Sequence, residues 1–169
     1  MLNLVGRSTS ERAKSITIGL LIGLLMLSLW QMSTGNAQAN REDQNRQDAT
    51  DVARRFAIAL TTYDYAHPEV QRLNVAAVSS QTVQEEVSSA LQDVLALEAS
   101  SLGDIRDSIV SSLTNTGARV IVSTSQVISS RDVVTATQLQ GLLEVSLSRS
   151  PQSWIVTNYR WLAVPVNAP

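Results

Sequence analysis

From Val133 to Ser148 the chain alternates so regularly that one backbone geometry suits it. Val133, Thr135, Thr137, Leu139, Leu143, Val145 and Leu147 fall on one side of an extended chain. Gln138, Gln140, Glu144, Ser146 and Ser148 fall on the other. Side chains of a strand repeat with period two, so the pattern predicts a long strand with one apolar face. Gly141 interrupts the apolar side and predicts a bulge or sharp bend. Such a strand needs neighbours for its backbone groups and a second layer over its apolar face.

The flanking sequence offers both. Ser108 to Thr114 reads as a short strand, Asn115-Thr116-Gly117 as a hairpin turn, and Arg119 to Ile128 as a β-branched strand. Ser129 to Asp132 turns the chain, and Ser150-Pro151-Gln152 ends the long strand. Trp154 to Val164 makes the last one, stopped by Pro165. Upstream of Asp107 the period is helical. Thr50 and Asp51 suit the N-cap of a first helix, with Val52, Phe56, Ala59, Leu60 and Tyr63 on one face. Pro68 opens a second helix with Val70, Leu73 and Ala77 as its stripe. Thr82 and Glu85 form a capping-box pattern for a third. Its stripe is Val83, Val87, Ala90, Leu91, Val94 and Leu97, with Gly103 as the stop. Helices first and hairpin-linked strands afterwards predict an α+β domain. About three helices would pack on a curved antiparallel sheet of about four strands, enclosing a cone-shaped cavity.

The front of the chain is of another kind. Ile16 to Trp30 carries no charge. With its flanks it approaches the ~30 Å of a hydrocarbon core. Arg7, Arg12 and Lys14 precede it, which favours a cytoplasmic tail, and Trp30 suits the far interface. The organisation read this way is a tail over 1–15, a transmembrane helix over 16–33, a polar linker over 34–47 that turns helical toward its end, and an extracytoplasmic domain over 48–166. The competing reading is a secretory signal cut after Ala39, since Ala37-Gln38-Ala39 is an A-x-A site. Gly19 and Gly23 have the small-xxx-small spacing that lets two such helices pack, the one hint of a homo-oligomer.

Composition narrows the chemistry. The chain has no cysteine and one histidine, so disulfides, thiolate or His-rich metal sites and a cysteine nucleophile are excluded. From Arg41 onward there are ten arginines, no lysine and fourteen acids, a balance unsuited to general nucleic-acid binding. No Gly-rich phosphate loop is present, and the reading names no metal, cofactor or catalytic residue. Tyr63, Asp64, Tyr65 and His67 are the one gathering of groups with acid–base chemistry. They read either as an acid–base pair or as a helix junction in which Asp64 bonds free amides. Arg54 and Arg55 lie off the first helix's stripe and read as solvated charges, or as contacts to a partner or to lipid headgroups.

Three pieces then carry a family likeness: Ala57-Ile58-Ala59-Leu60-Thr61-Thr62-Tyr63-Asp64-Tyr65, Arg119-Val120-Ile121-Val122-Ser123-Thr124-Ser125-Gln126, and Ser153-Trp154-Ile155-Val156. In their order the chain resembles the Mce-associated membrane proteins of actinobacteria. The same plan is similar to the bitopic assembly factors of type IV secretion and conjugation machines. The resemblance implies a nuclear transport factor 2-like domain held outside the membrane by a single span. It also implies an accessory or scaffolding role, with the bilayer and the proteins of a transport or secretion complex as partners. The alternative class is a small-ligand binder or enzyme that uses the cone.

Overall fold

A core layer of helices on a sheet is what the two periodicities demand, and the computed structural model, which describes residues 40–131 and 133–167, has that arrangement. The order is α1 (40–61), α2 (Pro68–Ala76), α3 (Gln81–Ala96), β1 (Ser100–Leu113), β2 (Gly117–Ser130), β3 (Val133–Arg149) and β4 (Trp154–Asn167). The strands pair in sequence order, β1-β2-β3-β4, each antiparallel to the next. Residues from Asn45 onward form one compact unit; 40–44 are helical. The predicted span at Ile16–Trp30, the tail and the Ala37–Ala39 site lie outside the described residues. Among the described residues no helix is long and apolar enough to cross a membrane.

The core follows the predicted face of β3 and continues it into β2 and β4. Val120 and Val122 of β2, Leu143 and Val145 of β3, and Val156 of β4 are fully enclosed. Against them lies α1, whose inner face is Ala49, Val52, Ala53, Phe56 and Ala57. The alanines recur every four residues, and their small side chains let the helix axis approach the sheet while Phe56 fills the space between. The Phe56 ring meets Tyr159 at 5.3 Å between centroids. Burial, with the charge and hydrogen bond of Glu86, pushes the Tyr159 phenol up to about 12. On the outer face, Arg160 Nε bonds Glu144 Oε1 at 2.7 Å. Gly141 stays in register opposite Thr124, and the irregularity expected there falls in β4, whose extra residues lie between Ala163 and Val166 and at Leu162.

Several boundaries differ from the sequence reading, each for a physical reason. The first helix is already formed at residue 40, so Thr50 and Asp51 are interior residues, not caps. Thr50 Oγ1 donates back to Arg46 O at 2.8 Å, the bond an interior threonine makes. In α2 the chosen stripe faces the wrong way. Gln71, Val75 and Val78 are buried, while Val70, Leu73 and Ala77 are exposed. In α3 the N-cap is Ser80, so no Thr82–Glu85 box forms; the chain enters the helix with Ser80 N donating to Val156 O at 2.8 Å. That helix buries Val83, Val87 and Leu91 but leaves Ala90 and Leu97 outside. It ends at Ala96, well before Gly103. Glu98, at φ 47°, supplies the left-handed turn that glycine usually provides.

The first strand begins at Ser100, not Ser108. It is an edge strand with register shifts at Ile105/Asp107 and Val110/Ser112, which break its alternation. Asp104 and Asp107 each accept a bond from the next backbone amide, at 2.9 and 2.7 Å. The fourth strand continues through Pro165 to Asn167. It is the opposite edge, and Pro165 has no partner in the ladder, so its missing N–H costs no sheet bond.

Candidate functional site

The end of α1 is stitched to the start of β1. Beyond Thr61 the chain extends, and Tyr63 exchanges two backbone bonds with Ser101, at 3.0 Å and 2.8 Å. Gly103 N donates to Thr62 Oγ1 at 3.1 Å. Asp64 then closes the turn into α2. Its Oδ1 accepts from Ala66 N and from Ser100 Oγ, both at 3.0 Å, and its carbonyl accepts from His67 N at 3.1 Å. Pro68 starts α2 with the φ that its ring imposes. The helix turns Gln71 inward, where Nε2 donates to Leu60 O at 3.3 Å. That carbonyl belongs to the last turn of α1 and has no partner further along its own helix.

Between α2, this junction and the paired ends of β1 and β2 lies a cavity of about 710 Å³. Tyr63, Asp64 and His67 line it from the junction, and Val70, Gln71 and Asn74 from α2. Ser101, Leu102 and Val127 line it from the sheet. The structure thus brings together three of the four clustered residues of the sequence reading. Tyr65 is exposed in the turn outside the lining. The junction reading of Asp64 agrees with the geometry: its carboxylate serves the Ala66 amide and the Ser100 hydroxyl, while His67 Nδ1 sits 3.4 Å from Glu69 Oε1 in solvent. Arg54 and Arg55 lie elsewhere on α1. Arg54 Nη1 reaches Ser108 Oγ at 3.4 Å and Arg55 Nε reaches Asp51 O at 3.4 Å. Arg55 lines a separate cleft of about 330 Å³ with Asp48, Asp51, Arg149 and Trp154. There Arg149 bonds Asn45 Oδ1 and lies 5.4 Å from the Trp154 ring centroid.

The electrostatics of the cavity are mild. Burial raises the Tyr63 phenol above its ordinary 10.0, and the neighbouring Ser101 hydroxyl pulls it partly back. The Ala66 amide first, then the Ser100 hydroxyl, hold the Asp64 carboxyl below its ordinary 3.8. A carboxyl whose folded value is depressed stabilises the fold above its unfolded value and loses that contribution as pH falls through the folded one. Thermal melts against pH should therefore show wild type exceeding Asp64→Asn at pH well above 3.8, with the gap closing as pH falls below 3.8. A constant gap across that range would mean that the Asp64 bonds do not form. Among the described residues no group of three or more His, Cys, Asp or Glu side chains comes together to hold a metal.

Sequence reasoning missed Gln71 and Ser101. Both are buried polar residues; Gln71 Oε1 meets no hydrogen-bond partner in the protein, and the Ser101 hydroxyl lies beside the Tyr63 phenol. The available signal was Gln71-Val75-Val78, a second stripe at helical spacing that competes with Val70-Leu73-Ala77.

With this geometry in hand, comparison with solved structures identifies the fold. The chain is similar to an IcmL-like type IV secretion system protein from Legionella pneumophila, at 20% identity and TM-score 0.54, over 73% of this chain and 95% of that one. It is similar to CagV of Helicobacter pylori, a VirB8 homologue of the type IV secretion system, at 8% identity and TM-score 0.55, over 68% and 96%. It is also similar to a periplasmic fragment of TraM, at 12% identity and TM-score 0.56, over 72% and 97%. The described domain has the nuclear transport factor 2-like fold that these structures share. No protein-family model and no curated protein matches the chain.

Proposed function

We propose that this protein is a non-enzymatic accessory subunit, held in the membrane by Ile16–Trp30, whose domain outside the membrane binds proteins of a transport or secretion complex. One observation carries the reading: the domain leaves apolar side chains in water around α2. Leu73 is 70% exposed and Val70 52%, and Leu102 of β1 is 70% exposed beside the same cavity. Burying each such side chain fully is worth about 1.5–3 kcal/mol, so a protein surface that covers them gains affinity. The bonds of Asp64 and the solvated His67–Glu69 pair support a structural junction over an acid–base centre. The type IV secretion neighbours support a place in a multiprotein machine, although a shared fold does not by itself carry function. The resemblance to Mce-associated proteins supports the same plan: tail, single span, domain outside.

The absence of cysteine makes one experiment test topology and docking together. In intact cells, Leu73→Cys should react with a membrane-impermeant maleimide that bears a benzophenone, whereas Ser8→Cys should react only after permeabilisation. Illumination should crosslink the Leu73→Cys conjugate to partner proteins. Asp93→Cys, on the solvated side of α3, should give none. Labelling of position 8 from outside, loss of position 8 from the mature chain, or equal crosslinking from positions 73 and 93 would each contradict the proposal.

A further inference from the structure

The two edges of the sheet are finished differently. In β1 the amides that point away from β2 alternate, and the extra residue Arg106 advances the alternation by one. As far as Ser108, each of them has a partner from this chain. Ser101 N donates to Tyr63 O at 2.8 Å, and Gly103 N to Thr62 Oγ1 at 3.1 Å. Ile105 N and Ser108 N donate to Asp104 Oδ1 and Asp107 Oδ1, at 2.9 and 2.7 Å. An incoming strand meets no free donor along that stretch. In β4 the same alternation gives Val156, whose amide and carbonyl are taken by Val78 and Ser80, at 2.9 and 2.8 Å. After the extra residue Thr157 it gives Tyr159 and Trp161. Among the described residues no main-chain group bonds these two from outside the sheet.

The open stretch lies between the extra residues Thr157 and Leu162, room for a short added strand. Tyr159 and Trp161 turn half-buried rings to the core side, and exposed Arg160 stands between them on the outer face. Arg160 is bonded to Glu144, but its side chain is 67% exposed against 14% for the glutamate, so the charge met at this edge is positive. A second copy paired antiparallel here, 159 opposite 161, would set Arg160 against itself. We propose that β4 takes an antiparallel strand from another protein, with an acidic residue opposite Arg160 and apolar residues opposite Tyr159 and Trp161. Main-chain bonds at 159 and 161 supply affinity, and the side chains fix the register. The site is the edge of the sheet, so docking around α2 stands or falls separately.

Full-length protein in lipid nanodiscs, titrated into fluorescein-labelled peptides and read by anisotropy against empty discs, provides the test. The peptide Thr-Val-Glu-Val-Thr should bind saturably. Thr-Val-Lys-Val-Thr should bind about fivefold more weakly, and Arg160→Glu should reverse that preference. Strand addition also fixes which peptide amides matter. N-methylation of both valines removes the donors to the Tyr159 and Trp161 carbonyls and should weaken binding about tenfold or more. N-methylation of the glutamate, whose amide points away from β4, should leave binding unchanged. Failure of the glutamate peptide to bind, equal binding of the two methylated peptides, or a charge preference that survives Arg160→Glu would overturn the proposal. Should Arg160→Glu not fold, the methylated peptides decide alone.

Discussion

Gly103→Ala should destabilise the folded protein by about 3 kcal/mol or more, at the upper end of what overpacking costs. A Cβ at this position would lie 1.9 Å from Thr61 Oγ1, 2.6 Å from Thr61 Cβ and 3.1 Å from Thr61 C. The first of these atoms cannot simply swing aside. Thr61 is 1% exposed, and its hydroxyl donates to Ala57 O at 2.7 Å within the last turn of α1. The clash would therefore be relieved by backbone movement, which lifts β1 off the end of α1 and pulls on the Tyr63–Ser101 pairing. Urea melts of the full chain in detergent measure the loss. A double-mutant cycle with Thr61→Gly attributes it, since removing the Thr61 side chain should recover more than about 1 kcal/mol of the Gly103→Ala cost despite the helix penalty of glycine. A loss below about 0.5 kcal/mol would mean that β1 and α1 do not approach as described.

Phe56→Ala should cost a similar or larger amount, about 3–5 kcal/mol. Phe56 is the chain's single phenylalanine and is wholly enclosed between α1 and the sheet. Its neighbours one turn away on the helix, Ala53 and Ala59, are too small to close the void, and its ring partner Tyr159 is engaged by Glu86. Against a total stability of about 5–15 kcal/mol, this one truncation removes a large share. Ile58→Ala is the control on the same helix. Ile58 is 42% exposed, and its loss should move the midpoint little. Equal effects at positions 56 and 58 would indicate that α1 is not seated on the sheet by the face described.

The helical stripe of α1 was legible at Val52, Phe56 and Ala59, where the buried positions are also the apolar ones, whereas Tyr63, assigned to the same stripe, lies beyond the helix in a bridge to Ser101. The start of α1 was not. The polar residues of 40–47 read equally as tether, and an early helical turn with few apolar side chains has no stripe to reveal it. The caps assigned to Thr50, Asp51 and Thr82 failed for a related reason. Threonine and aspartate satisfy free amides wherever a helix begins, but the chain's own bonds decide where that is. At α3 the decision is made by Val156, whose backbone pairs with Val78 and Ser80 and so delimits the helix from outside. The junction was legible in part: a carboxylate just before a proline-led helix is a turn residue on chemical grounds, and Asp64 is one. A cone between helices and sheet was expected, but the residues that line the cavity were not legible, because its walls come from segments far apart in sequence.

Local periodicity determined the helix and strand types, the hairpin order of β2, β3 and β4 and the segregation of helices from strands. These properties depend on side-chain spacing along a few residues, and spacing is written in the chain. Tertiary structure alone decided which face of α2 goes inward, where β1 begins and which polar atoms are left unpaired. In α2 two stripes of comparable apolarity compete. The one that wins lets Gln71 satisfy the Leu60 carbonyl and seats Val75 in the core and Val78 beside Val156. That choice sums burial and hydrogen bonding over partners the helix meets only after folding, so no window of sequence contains it.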